Sequence, residues 1–180
     1  DSVLTFNGST GNFRKHLTKK YKANRIDQKK PPFLQEIHDY VKETYNAKCA
    51  IGMETDDLVA MHWKKLSKVW GRDQVMIVSI DKAYLQFPAL IYKYNKKEVI
   101  TLSEEAARYN FYEQMIVGDT ADNVNYFKGK GKAFARKFYE DCTTTYQFRK
   151  KLFWLFKEKY KSKAKEKYVE CYNLLKLRTE

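Results

Sequence analysis

Cysteine is scarce and unpaired in this chain: Cys49, Cys142 and Cys171 are odd in number, widely spaced and without a C-x-x-C pair. That excludes a disulfide framework and a zinc ribbon, and reads as structural thiols in a reducing compartment. Glycine and proline are few, and no repeat or low-complexity segment is visible. No stretch approaches the roughly 18 consecutive apolar residues of a membrane span, and no secretory signal opens the chain, so the expectation is a soluble, cytoplasmic protein. Negative charge is also in short supply. Lys and Arg number 35 against 22 Asp and Glu, a net charge of +13. A field of that sign attracts phosphate backbones from a distance, and the expected partner is nucleic acid.

What is present is a core. With 43% apolar and 16% aromatic residues, 180 residues suffice for one real hydrophobic core with a small appended lobe. The chain begins without Met and runs at once into an apparent strand, Val3 to Phe6, as if something were missing upstream. A turn-like run, Asn7 to Asn12, and a basic stretch, Phe13 to Arg25, follow. Leu34, Ile37, His38 and Val41 share one face of a helix expected over Phe33 to Tyr45, after the breaker around Pro31 and Pro32. A second helix is expected from Thr55, with Val59, Trp63, Leu66 and Trp70 as its stripe and Gly71 as its end. Val75 to Val78 with Ile80 reads as a strand covered on both faces in a mostly parallel sheet, with Asp81 at its carboxyl end, where α/β sheets open onto ligands. Ala89 to Tyr94 and Glu98 to Leu102 read as short strands, residues 103 to 142 as helix, turn and helix, and Gln147 to Arg178 as one or two Lys-rich amphipathic helices.

Against the basic background the carboxylates gather. Glu54, Asp56 and Asp57 stand around Thr55 at an expected helix N-terminus. One reading is that they favour the helix dipole, with Thr55 as the cap; the other is a divalent-metal site of the Mg²⁺ or Mn²⁺ type, since three crowded acids need a cation to offset their repulsion. Asp119 and Asp122, three apart, form either an ordinary Asx turn or two ligands facing one point. Lys128, Gly129, Lys130, Gly131 and Lys132 then make a basic Gly-x-Gly hairpin whose backbone can approach phosphates. His16, His38 and His62 are scattered and read as surface or satisfied residues. Tyr21 and Phe13, aromatics among basic residues, are candidates to stack on a displaced base.

The order Phe13-Arg14-Lys15, Tyr21-Lys22-Ala23-Asn24-Arg25, Glu54-Thr55-Asp56-Asp57, Ser79-Ile80-Asp81-Lys82 and Gly118-Asp119-x-x-Asp122 with Gly129-Lys130-Gly131 resembles the structure-specific 5′-nuclease superfamily, over roughly residues 3 to 140. That superfamily takes in flap endonucleases, the 5′-nuclease domain of bacterial DNA polymerase I and phage 5′→3′ exonucleases; the stretch from Tyr21 to Arg25 looks most like the phage branch. The resemblance implies an α/β core, a mostly parallel sheet flanked by helices, over residues 1–117, a helix-hairpin-helix DNA clamp over 118–142 and a helical extension over 143–180. It implies a two-metal phosphodiesterase acting on DNA with 5′ ends, flaps or branches, with RNA-DNA hybrid as a further substrate, in replication or recombination, and working as a monomer. Glu54, Asp56, Asp57, Asp81, Asp119 and Asp122 take the places of metal ligands, and Lys22 and Arg25 those of catalytic gateway cations. Arg14, Lys15, Tyr21, Lys22, Arg25 and residues 128–132 fall on the DNA side, with a K⁺ ion at the hairpin in some relatives.

Three departures stand out. The family's opening Asp-Gly ligand has no counterpart; Asn7 follows Phe6 where relatives carry Asp; and Ala83 stands where a second Asp of the strand-end motif is usual. Ala83 is open to two origins, drift or deliberate inactivation. The expectation is a nuclease that is weak or dead under ordinary Mg²⁺ yet still binds DNA, with a non-catalytic branched-DNA-binding protein as the alternative. A third reading is a basic DNA-architectural protein whose acids are only helix caps.

Overall fold

The computed structural model describes residues 2–180. Strands β1 (Phe6–Thr10) and β2 (Lys48–Ile51) pair in parallel; β3 (Met76–Val78), β4 (Leu90–Lys93) and β5 (Glu98–Thr101) form a second sheet, β3 and β4 parallel, β4 and β5 antiparallel. The helices are α1 (Arg14–Leu17), α2 (Leu34–Tyr45), α3 (Thr55–Trp70), α4 (Glu104–Val117), α5 (Lys132–Phe138), α6 (Thr145–Tyr160) and α7 (Ala164–Leu175). The α/β class is as expected, with the sheet divided into two small ones.

The differences from expectation have local causes. The first strand starts at Phe6 and runs through the residues that read as a turn, because Gly8, with φ +71°, sits where the β1–β2 register shifts between Phe6 and Ser9. An irregularity there lets a strand contain a residue that would otherwise end it. Strand β3 is covered on one face only: Ile77 is 5% exposed, while Met76 and Val78 are 46% and 62% exposed. Helix α2 forms where its stripe placed it, yet buries no residue. Within residues 118–142 there is one helix, the seven-residue α5; the next, α6, begins at Thr145, so two helices flanking a hairpin do not both fall inside that range.

Two apolar clusters hold the described residues together. The larger joins α4, α5, α6 and α7, with Met115, Ile116, Leu152, Phe156 and Cys171 fully buried and Tyr112 stacked on Phe148 at 5.1 Å. The smaller packs Ala60 and Trp63 of α3 against Ile77, Ile91, Phe87 and Leu177. All three cysteines are free; Cys171 is the buried structural thiol expected, whereas Cys49 is exposed.

The amino- and carboxyl-terminal parts meet at one ion pair. Arg14 and Asp57 are 1% and 0% exposed. The guanidinium donates to both Asp57 oxygens, at 2.5 and 2.8 Å, and through its other N–H groups to the carbonyls of Leu174 (3.0 Å) and Lys176 (2.9 Å). Asp57 Oδ1 also accepts from the Arg178 backbone N–H at 2.8 Å. Close by, Gln86 donates to the Leu175 carbonyl and accepts from the Leu177 N–H. Burial alone would raise the Asp57 carboxyl; the bonds from Arg14 and Arg178 outweigh it and hold it below the usual carboxylate range. Arg14 is therefore a buried cross-link and not a DNA contact, and Asp57, enclosed and fully partnered, is not placed to take a metal.

Removing one partner of such a pair strands a buried charge, so Arg14→Ala is expected to lose about 3–5 kcal/mol in urea unfolding. Because the folded-state value of Asp57 is depressed, its contribution is present above the unfolded carboxylate value and is lost as pH falls through the folded one. The gap in stability between parent and variant should accordingly shrink toward acid; a gap independent of pH would contradict this role for the pair.

Candidate active site

Three separate elements bring carboxylates to one crevice. At the start of α3, Glu54 takes an extended conformation as the N-cap and its backbone N–H donates to Asp57 Oδ2 at 3.1 Å. Thr55, which read as the cap, instead donates its hydroxyl to the Gly8 carbonyl at 2.7 Å and ties α3 to β1. Glu54 and Asp56 are thereby left facing outward from the helix end. Asp81, three residues beyond β3, accepts from the Ala83 N–H at 2.8 Å and caps the 3-10 turn Lys82–Gln86. The loop after α4 supplies Asp119 and Asp122. Its entry requires Gly118, with φ +81°, because a Cβ there would lie 2.1 Å from the Val124 carbonyl oxygen. Asp119 accepts from the Ala121 N–H at 2.9 Å, so the Asx turn is real, and its Oδ2 remains on the crevice side, 3.0 Å from Lys82 Nζ.

The segment Tyr21–Arg25 is stitched to that loop. The Lys22 N–H donates to the Asp122 carbonyl, Arg25 Nε to that of Ala121, and Asn123 Nδ2 to that of Lys20. Lys22 Nζ contacts Glu54 Oε1 directly and lies 3.6 Å from Asp122 Oδ1, while Arg25 Nη2 is 2.9 Å from the same oxygen. The Tyr21 hydroxyl stands 2.8 Å from Glu54 Oε2 and 3.0 Å from Asp122 Oδ2, so one proton serves two carboxylates. Burial, then Glu54, raise the Tyr21 hydroxyl far above its ordinary value and keep that proton in place. At 4% exposure Tyr21 is not available to stack on a base, and the Phe13 ring is covered by the Arg178 guanidinium at 3.6 Å.

Crowding shows in the acids. Burial, and after it the charge of Asp81, push the Asp56 carboxyl up to about 6, against a hydrogen bond from Tyr84. Burial likewise raises Asp122, against Lys22 and Tyr21. As the side chains stand, no three His, Cys, Asp or Glu among the described residues enclose an ion. The chain's own Lys22, Arg25 and Lys82 offset part of the charge instead. The donor set of Glu54, Asp56, Asp81, Asp119 and Asp122 is all carboxylate oxygen, which fits hard cations of the Mg²⁺ or Mn²⁺ type and not zinc-selective or copper-selective chemistry.

The remaining residues are placed as follows. Lys15, Lys128 and Lys132 are exposed; Lys130 Nζ sits 3.7 Å over the Phe134 ring. Gly129 and Gly131 have open space where a Cβ would stand. Asn7 donates to the His38 carbonyl at 2.9 Å and is held by α2, and the Ala83 methyl packs against the smaller core. His62 bonds the Leu58 carbonyl. Lys82, quoted in the strand-end motif without a role, lies on Asp119, and Tyr84 is a site residue that no motif included; the spacing of three between Asp81 and Tyr84 is its signal, legible only once the 3-10 turn is known.

No family model matches the chain. Over 134 residues, 68% of this chain and 46% of the relative, it is 26% identical to a 5′-3′ exonuclease of Buchnera aphidicola subsp. Schizaphis graminum, so it spans about half of that curated relative's length. A bacteriophage T5 protein co-crystallised with metal ions superposes with a TM-score of 0.70 at 17% identity, covering 96% of this chain and 76% of that one. The T5 flap endonuclease in a pseudo-enzyme-product complex with DNA and metal ions gives 0.68 at 15% identity, covering 96% and 72%. The T5 5′-exonuclease with bound zinc gives 0.66 at 14% identity, covering 94% and 70%. The chain has the fold of the phage T5 flap endonuclease and 5′-exonuclease, and with its exonuclease-like sequence it resembles the structure-specific 5′-nuclease superfamily, close to the phage enzymes.

Proposed function

We propose that this chain is the core of a divalent-metal-dependent 5′-nuclease that hydrolyses phosphodiester bonds of DNA at 5′ ends, flaps or branches in replication or recombination, with RNA-DNA hybrid as a further substrate. The observation that carries the reading is the convergence of Glu54, Asp56, Asp81, Asp119 and Asp122, from three separated elements, on one crevice of a chain with net charge +13. These five would hold Mg²⁺ or Mn²⁺, which when bound supplies an activated water and neutralises developing charge on phosphate oxygens. Lys22 and Arg25 lie at the rim with carboxylate partners that a phosphate oxygen can replace; Arg25 is 45% exposed at its side chain. Lys128 and Lys132, with the open backbone at Gly129 and Gly131, offer a grip on the duplex backbone, and the superfamily resemblance adds a K⁺ ion at the hairpin to this reading.

Ala83 and Asn7 favour a second reading, a protein that binds branched DNA without cutting it. Asn7 is occupied by α2 and Ala83 by the core, so neither lends an oxygen to the crevice. Cleavage of a 5′-flap DNA labelled at its 5′ end separates the two. The parent chain with Mg²⁺ is expected to cut weakly or not at all and Ala83→Asp to gain activity; robust cleavage by the parent would refute impairment, and tight binding without cleavage by either would favour the second reading. In parallel, Lys128→Glu with Lys132→Glu is expected to weaken flap binding irrespective of sequence. The slope of log K against log salt should fall by about one unit for each phosphate that is no longer neutralised. An unchanged slope in fluorescence anisotropy would remove the hairpin from the interface.

A further inference from the structure

Each acid of the crevice is held by some other group, and for Asp56 that group is Tyr84. The Tyr84 ring is 3% exposed, packed in the cluster with Trp63 and Phe87, yet its hydroxyl emerges at the crevice and donates to Asp56 Oδ1 at 2.8 Å. This is the only side-chain hydrogen bond Asp56 makes among the described residues. By contrast Glu54 has Tyr21 and Lys22, Asp119 has its own turn and Lys82, and Asp122 has Arg25 and Tyr21.

The contact is a product of the turn that follows β3. Asp81 caps the 3-10 turn Lys82–Gln86, and at about three residues per turn Asp81 and Tyr84 stand on the same side of it. One short turn thus delivers a carboxylate to the crevice and, one revolution later, the hydroxyl of a buried ring, which reaches across to the carboxylate opposite. A Phe at position 84 would fill the same space in the core, so packing alone does not call for the oxygen.

We propose that Tyr84 is a positioning residue: its hydroxyl fixes the orientation of Asp56, leaves Oδ2 free, and so prepares the Asp56–Asp81 pair for a hard divalent cation. The inference rests on the nuclease reading of the same crevice. Groups that orient a metal ligand from behind change affinity by about tenfold or more when removed.

Titration calorimetry with Mn²⁺ alone, on the parent chain, Tyr84→Phe, Asp56→Asn and the double variant, tests it, with thermal unfolding in EDTA as the check on folding. Expected are saturable Mn²⁺ binding by the parent, about tenfold weaker binding by Tyr84→Phe with an unfolding midpoint close to the parent's, and no further weakening when Tyr84→Phe is added to Asp56→Asn. Parent-like affinity in Tyr84→Phe would overturn the positioning role while leaving the nuclease reading intact. A full additional weakening in the Asp56→Asn background would show that Tyr84 does not act through Asp56 and overturn it as well. Absence of saturable Mn²⁺ binding by the parent would sink the nuclease reading and this inference together.

Discussion

The architecture around the crevice hangs on one buried guanidinium. Arg14 sits in a short helix near the amino-terminal end, Asp57 in the first turn of α3, and the carbonyls of Leu174 and Lys176 at the far end of the chain, and a single side chain bonds all of them. A guanidinium can do this because its donors lie in a rigid plane and point in fixed directions. The energy balance of such a pair is lopsided: formed, it roughly offsets the desolvation of two charges; half-removed, it leaves an uncompensated charge in the core. The consequence is geometric. Asp57 anchors the first turn of α3, and its neighbours Glu54 and Asp56 are turned toward the crevice.

The crevice inverts that balance. There the acids outnumber their fixed partners, and the chain's own ammonium groups stand among them: Lys22 between Glu54 and Asp122, Lys82 on Asp119. The raised carboxyl of Asp56 records the repulsion that burial and Asp81 impose. A site of this kind gains from any hard cation that adds to the charge its lysines supply. The large positive balance of the whole chain and its acid-rich crevice are opposite in sign; under the proposed function the first would gather a polyanion and the second would hold the cations that accompany it.

Much of this was legible in the one-dimensional pattern. The spacing of apolar residues located α2, α3, β4 and β5 closely, since period and caps are local properties, and Gly71 ended α3 as its freedom at φ +91° allows. The clustering of acids in a basic chain marked Glu54, Asp56, Asp119 and Asp122, and the end of an expected strand marked Asp81. Roles within the clusters were not legible. Asp56 and Asp57 are adjacent and chemically identical, yet one faces the crevice and the other is sealed against Arg14. Tyr21 and Arg14 carry DNA-contact signatures but are buried, and the bland Tyr84 reaches a carboxylate.

By itself the sequence determined the α/β class, the positions of most helices, the sign of the charge field and the residue types available to the crevice, because composition and short-range periodicity depend only on neighbours along the chain. Tertiary structure decided the rest: which carboxylate became a cross-link, which cations lie on which acids, how β3 came to be covered on a single face, and that a hydroxyl 28 residues from Asp56 reaches it. Those outcomes depend on burial and on angles between distant segments. A buried charge keeps only the partner that packing brings within about 3 Å of it.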